Sequence, residues 1–151
     1  MRHLLYCDTV GRVGSVGLLL LRLVVGAAFL FHGWPKIQNP FSWMPPEAPV
    51  PGILQALAAL SEFGGGMALI AGLLTRLASL GIASVMVVAI GMVHVPKGDP
   101  FVGQGGPSWE LAAVYLACAI LFLLLGPGRF SLDAMLFRTP EPHAAGQQPS
   151  Q

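Results

Sequence analysis

Four apolar blocks, each close to the length of a lipid bilayer, constrain this chain more than any other feature of its sequence. They cover residues 13–34, 51–74, 77–95 and 108–125. At a helical rise of about 1.5 Å per residue, each comes near the ~30 Å thickness of a hydrocarbon core. Backbone groups inside lipid have no water to bond, so each block must be a helix. Composition agrees: of 151 residues, 54% are hydrophobic and only 10% charged. A soluble domain carries about a quarter charged residues. The expected class is therefore all-α: an integral membrane bundle of four transmembrane helices, with the bilayer as its first partner.

Several classes are excluded early. The net charge of +1, without a run of Lys or Arg, offers no surface for nucleic acid. Cys7 and Cys118 form no CxxC or zinc spacing, and each reads as an unreactive thiol. The first block is too long for a signal-peptide core and is followed by Pro-Lys-Ile, so it reads as a retained helix.

Breaks in the blocks set the predicted boundaries. Pro35 closes the first helix and Pro96 the third, because the proline ring cannot continue a helix. Pro51 suits the first turn of the second. Thr75-Arg76 makes a tight hairpin, and Gly126-Pro127-Gly128 ends the fourth helix. The domain division is thus an N-terminal flank over 1–12, a transmembrane domain over 13–138 and a polar tail over 139–151, expected to be disordered. Arg2, Arg12, Arg76, Arg129 and Arg138 fall at one end of the bundle, against Lys36 and Lys97 at the other. Five against two places both termini in the cytoplasm by the positive-inside rule. His32…Lys36 and His94…Lys97, each followed by a helix holding a glutamate, form a faint internal repeat.

Ionisable residues inside lipid need a partner or a task. Arg22 lies roughly 14 Å into the first helix and Glu62 roughly 16 Å into the second, counted from opposite ends. Equal depth on neighbouring antiparallel helices makes them expected partners, either as a structural ion pair or as the floor of a ligand or proton path. Gln55, one heptad before Glu62, extends this polar stripe. His32, His94 and Glu110 all fall at the opposite helix ends from the arginines. Converged, they could relay protons or, more weakly, bind a divalent metal; apart, they are interfacial polar groups. Gly64-Gly65-Gly66 either packs a helix closely or admits a flat ligand ring beside Glu62.

Taken in order, Arg22 with Gly26, His32-Gly33…Lys36, Glu62-Phe-Gly-Gly65, Gly72-Leu-Leu-Thr-Arg76, His94 and Gly126-Pro-Gly-Arg-Phe-Ser-Leu-Asp133 resemble the bacterial DoxX family, over about Leu18 to Leu136. The resemblance implies a four-helix protein of the bacterial inner membrane. It also implies quinone-linked redox or redox-protective work as a subunit of a membrane complex with a redox-protein partner. On that reading Arg22 and Glu62 form a buried polar centre, while His32, Lys36, His94 and Glu110 line an outer pocket for a quinone headgroup. Arg129, Ser131 and Asp133 would anchor the arginine end by capping and charge pairing. The sequence carries no redox motif of its own, so electrons would need a partner or a bound cofactor. A small-solute transporter using Arg22 and Glu62, or a scaffold subunit without a site, remain as alternatives, and a second copy of the chain is a further possible partner.

Overall fold

The computed structural model describes residues 10–47 and 50–137. Arg2, Cys7, Arg138 and the predicted tail lie outside the described residues. Helix α1 covers Arg12–Gln38 (27 residues), α2 Gly52–Ala71 (20 residues), α3 Thr75–Lys97 (23 residues) and α4 Glu110–Leu125 (16 residues). A short α5, Leu132–Phe137, follows. Among the described residues there is no strand. The first three helices are long and apolar enough to span a membrane, and α4 is a shorter apolar helix. The fold is an all-helical membrane bundle, as the apolar blocks predict.

Three boundaries differ from the sequence reading. Helix α1 runs through Pro35 to Gln38. The bond lost at Pro35 falls within a turn of the helix end, and tertiary contacts of Gly33 and Lys36 with α2 hold the last turn in place. The hairpin between α2 and α3 is Gly72–Leu74, not Thr75-Arg76. Gly72 is left-handed at φ +66°, and the Leu73 N–H closes back onto the Ala68 carbonyl at 2.9 Å, a glycine-terminated helix end. Helix α3 passes Pro96 because its preceding segment, Ala89–His94, widens into a π-helix. The wider turn accommodates a proline ring that would clash in a regular helix.

Neighbours in sequence are neighbours in space: α1 packs on α2, α2 on α3, and α3 on α4, with a lighter contact closing α4 onto α1. Leu18, Val25, Phe29, Leu69, Ile82 and Phe122 are central to the core. The outside is apolar too; Val13, Val24, Phe31 and Leu124 are exposed, as a lipid-facing surface requires. The closest approach is between α1 and α2. A Cβ built on Gly66 would meet the Gly26 carbonyl oxygen at 2.8 Å and the Leu30 nitrogen at 2.9 Å. Gly66 is thus filled by helix packing against α1 and Gly65 lies against Ile82, while Gly64 and Gly65 also line an open apolar cavity of about 510 Å³ between α2 and α3.

Gly66→Ala should cost about 1–3 kcal/mol, because two backbones must part to admit one methyl group. Gly17→Ala has nothing within 4 Å of the new Cβ and should be neutral or stabilising by about 0.5–1 kcal/mol. Thermal unfolding of both variants in detergent checks the contrast; equal behaviour would contradict the packing described.

Candidate functional site

The bundle holds two polar assemblies, one at each end. At the arginine end, Arg22 is 1% exposed and is the largest fully buried side chain. Its Nε donates to the Leu69 carbonyl (2.9 Å), Nη1 to Pro127 (2.5 Å) and Nη2 to Phe130 (3.0 Å). These carbonyls belong to the end of α2, where Leu69 also accepts from the Gly72 N–H at 3.2 Å, and to the turn after α4. One guanidinium thus joins three parts of the chain.

Asp133 completes this knot. Its carboxylate accepts from the Leu74 N–H (2.7 Å) and the Thr75 N–H (2.9 Å), capping α3, while its own N–H donates to the Gly72 carbonyl (2.8 Å). It is fully buried and interacts electrostatically with Arg22. Leu74 sits at φ +48°, an unusual conformation for leucine, and the Asp133 bond to its N–H holds it there. Ser131 Oγ accepts from the Ala134 N–H (3.1 Å) and donates to the Gly128 carbonyl (2.8 Å), capping α5. The Arg129 N–H donates to Ser15 Oγ at 3.2 Å. The capping expected of Ser131 and Asp133 is the arrangement found, while Arg129 contributes its backbone N–H. Gly72 is required twice over, since a Cβ would also lie 2.8 Å from the Arg22 guanidinium carbon.

The expected Arg22–Glu62 pair does not form. Arg22 is level with Leu69, seven residues and about two turns (~10 Å) from Glu62 along α2. Counting depth from predicted helix ends failed because α1 is 27 residues long against 20 for α2, so their ends are not level. Arg22 and Glu62 thus belong to separate assemblies and not to one midplane site.

Glu62 belongs to the lysine end. Lys36 Nζ donates to Glu62 Oε1 at 2.6 Å; the lysine side chain is 24% exposed and the glutamate 3%. Glu62 Oε2 is buried with no hydrogen-bond partner. The Lys36 ammonium also lies 4.6 Å from the centre of the Trp43 ring, a cation–π contact. Pro35, Lys36, Asn39, Ser42 and Trp43 line an open cavity of about 450 Å³ beside this pair. Glu62 and Lys36 were both legible as candidates. Trp43 was not, because nothing local in the sequence brings it over Lys36.

The histidines and Glu110 do not assemble as one group. His32 is exposed and packs against aromatic rings, 6.1 Å from Tyr115 and 6.3 Å from Phe29 between centroids. His94 Nδ1 pairs with Asp99 Oδ2 at 2.8 Å, a partner five residues on that the sequence reading overlooked. Glu110 is exposed in the first turn of α4, where a carboxylate complements the helix dipole. Among the described residues no three His, Cys, Asp or Glu side chains form a metal-binding group, so His32, His94 and Glu110 are not one. The internal repeat fails with them, since Glu62 is buried and Glu110 is not.

An apolar exterior and helices of spanning length, with few charges along them, define a multi-pass helical membrane protein. The DoxX family model matches residues 17–95. The chain is 28% identical over 128 residues to the inner membrane protein YqjF of Escherichia coli (strain K12), covering 83% of this chain and 95% of that protein. It is 33% identical over 125 residues to an uncharacterized protein of Haemophilus influenzae, covering 80% and 91% respectively. No solved structure gives a significant match. The chain belongs to the DoxX family and is a multi-pass inner-membrane protein.

Replacing Arg22 by Met keeps the apolar stem but takes the guanidinium from the Pro127 and Phe130 carbonyls and leaves Asp133 without its countercharge. The loss should reach about 3–5 kcal/mol. Arg22→Lys should recover little of it, because an ammonium cannot match the fork of the guanidinium. Unfolding in a mixed-detergent titration measures both; parental stability in Arg22→Met would show the knot to be dispensable.

Proposed function

We propose that the chain is a quinone-linked subunit of an inner-membrane redox complex, and that Lys36 and Glu62 hold the quinone headgroup. The observation that carries this reading is the unpartnered, buried Glu62 Oε2 next to a lysine that opens onto a cavity. A buried acceptor without a donor is costly and favours a ligand that donates to it. A hydroquinone hydroxyl meets that need. The Lys36 ammonium can donate to a headgroup oxygen, and the Trp43 ring offers a flat face for the headgroup ring. A bound quinone would supply two-electron chemistry. The chain's own residues bind and orient the headgroup and hold a proton at Glu62. Electrons come from a partner subunit, since the sequence carries no redox motif.

Arg12, Arg76 and Arg129 gather at one end of the bundle, with Lys36 and Lys97 at the other. This supports cytoplasmic termini and a headgroup site facing away from the cytoplasm. The scaffold reading has no use for a buried carboxylate oxygen left unsatisfied.

The test uses the full chain in lipid nanodiscs with a short-chain hydroquinone, followed by quenching of tryptophan emission. Saturable binding is expected, weakened about tenfold or more in Glu62→Gln and in Lys36→Met, the size of a lost hydrogen bond to a charged group. Absent binding, or equal binding by parent and both variants, would refute the reading.

A further inference from the structure

The cavity beside Lys36 is bounded by the connection between α1 and α2, and one residue of α2 holds that connection at three places. Gln55 is buried, at 7% exposure. Its Oε1 accepts from the Met44 N–H at 3.0 Å, and its Nε2 donates to the Val50 carbonyl at 2.9 Å. Its backbone carbonyl accepts from Trp43 Nε1 at 2.9 Å. The side-chain amide therefore uses both ends on loop backbone that has no helical partner. A glutamine is suited to this, having an acceptor and a donor on one rigid plane.

These bonds determine where Trp43 sits. The indole lies over Lys36, which in turn holds Glu62, and Gln55 lies one heptad before Glu62 on the same face of α2. The loop also closes tightly at its far end: a Cβ on Gly52 would meet the Phe41 carbonyl oxygen at 2.8 Å. The Gln55 side chain itself touches neither Lys36 nor Glu62 by any hydrogen bond found. It reaches the pair only through Trp43 and the loop.

We propose that Gln55 is a positioning residue that latches the α1–α2 loop closed, so that Trp43 forms the aromatic wall of the Lys36–Glu62 site. The proposal rests on the reading of that pair as the binding site. Removing the amide leaves Met44 N–H and Val50 C=O to find water, which is reached only by opening the loop. Two net hydrogen bonds correspond to a fall of about thirtyfold in the ratio of closed to open loop.

The test compares parent, Gln55→Met and Trp43→Phe in nanodiscs by hydrogen–deuterium exchange. Gln55→Met keeps the side-chain volume and deletes both amide bonds; Trp43→Phe deletes the third bond without entering the core. Faster exchange is expected across the loop around Met44 in both variants, with the helix amides of α1 and α2 unchanged. In a background with Trp34→Phe and Trp109→Phe, Gln55→Met should also raise acrylamide quenching of Trp43 and weaken hydroquinone binding. Unchanged loop exchange, or exchange that rises equally through the helices, would overturn the latch. Exchange and acrylamide quenching involve no quinone, so failure of the latch is distinct from failure of the parent to bind hydroquinone, which bears on the ligand alone.

Discussion

Water is absent from most of this molecule's surroundings, and the Arg22 guanidinium is where that constraint is met most fully. A charged group in lipid is costly and is found paired with other charges or with backbone carbonyls. Here the partners are carbonyls of the last turn of α2 and of the turn after α4, with Asp133 as countercharge. The same arrangement solves two problems at once: the arginine is satisfied, and so are chain ends that have no helix to continue into. The tight turn at Gly72 and the left-handed Leu74 follow from it, because both shape the backbone around Arg22 and Asp133.

With one end tied in this way, the register of α1 on α2 is set by close glycine contacts. Gly26 lies against Gly66 and Gly33 against Phe63. That register carries Lys36 to the level of Glu62 and keeps Arg22 two turns away. The two ends therefore differ in kind. The arginine end is tied by internal bonds around a buried guanidinium. The lysine end has one carboxylate oxygen to spare, a partly exposed lysine and a loop held by Gln55. The proposed binding chemistry uses the end where the unpartnered atom is a carboxylate oxygen beside a cavity.

How much of this was legible in the sequence depends on the range of the interaction. Lipid-crossing blocks are local in composition, and the helical membrane bundle follows from them. Ser131 and Asp133 sit in a short turn-and-cap pattern, so their anchoring role was readable as well. The partner of Glu62 was not. It depends on how far each helix protrudes, and α1 outlasts Pro35 because α2 supports its last turn. Asp99 and Trp43 were missed for a related reason: each meets its partner across a bend or a loop whose path the sequence does not state. Gly66 was ambiguous between packing and ligand until the opposing backbone of α1 was known.

The central claim is that the buried carboxylate is paired with Lys36 and that Arg22 serves a separate assembly. Two double-mutant cycles measured by unfolding in detergent test it directly. Lys36→Met with Glu62→Gln should show a coupling of about 0.5–3 kcal/mol, as expected for residues in contact. Arg22→Met with Glu62→Gln should add within about 0.5 kcal/mol, as separated sites do. A large coupling between Arg22 and Glu62, with none between Lys36 and Glu62, would contradict the account.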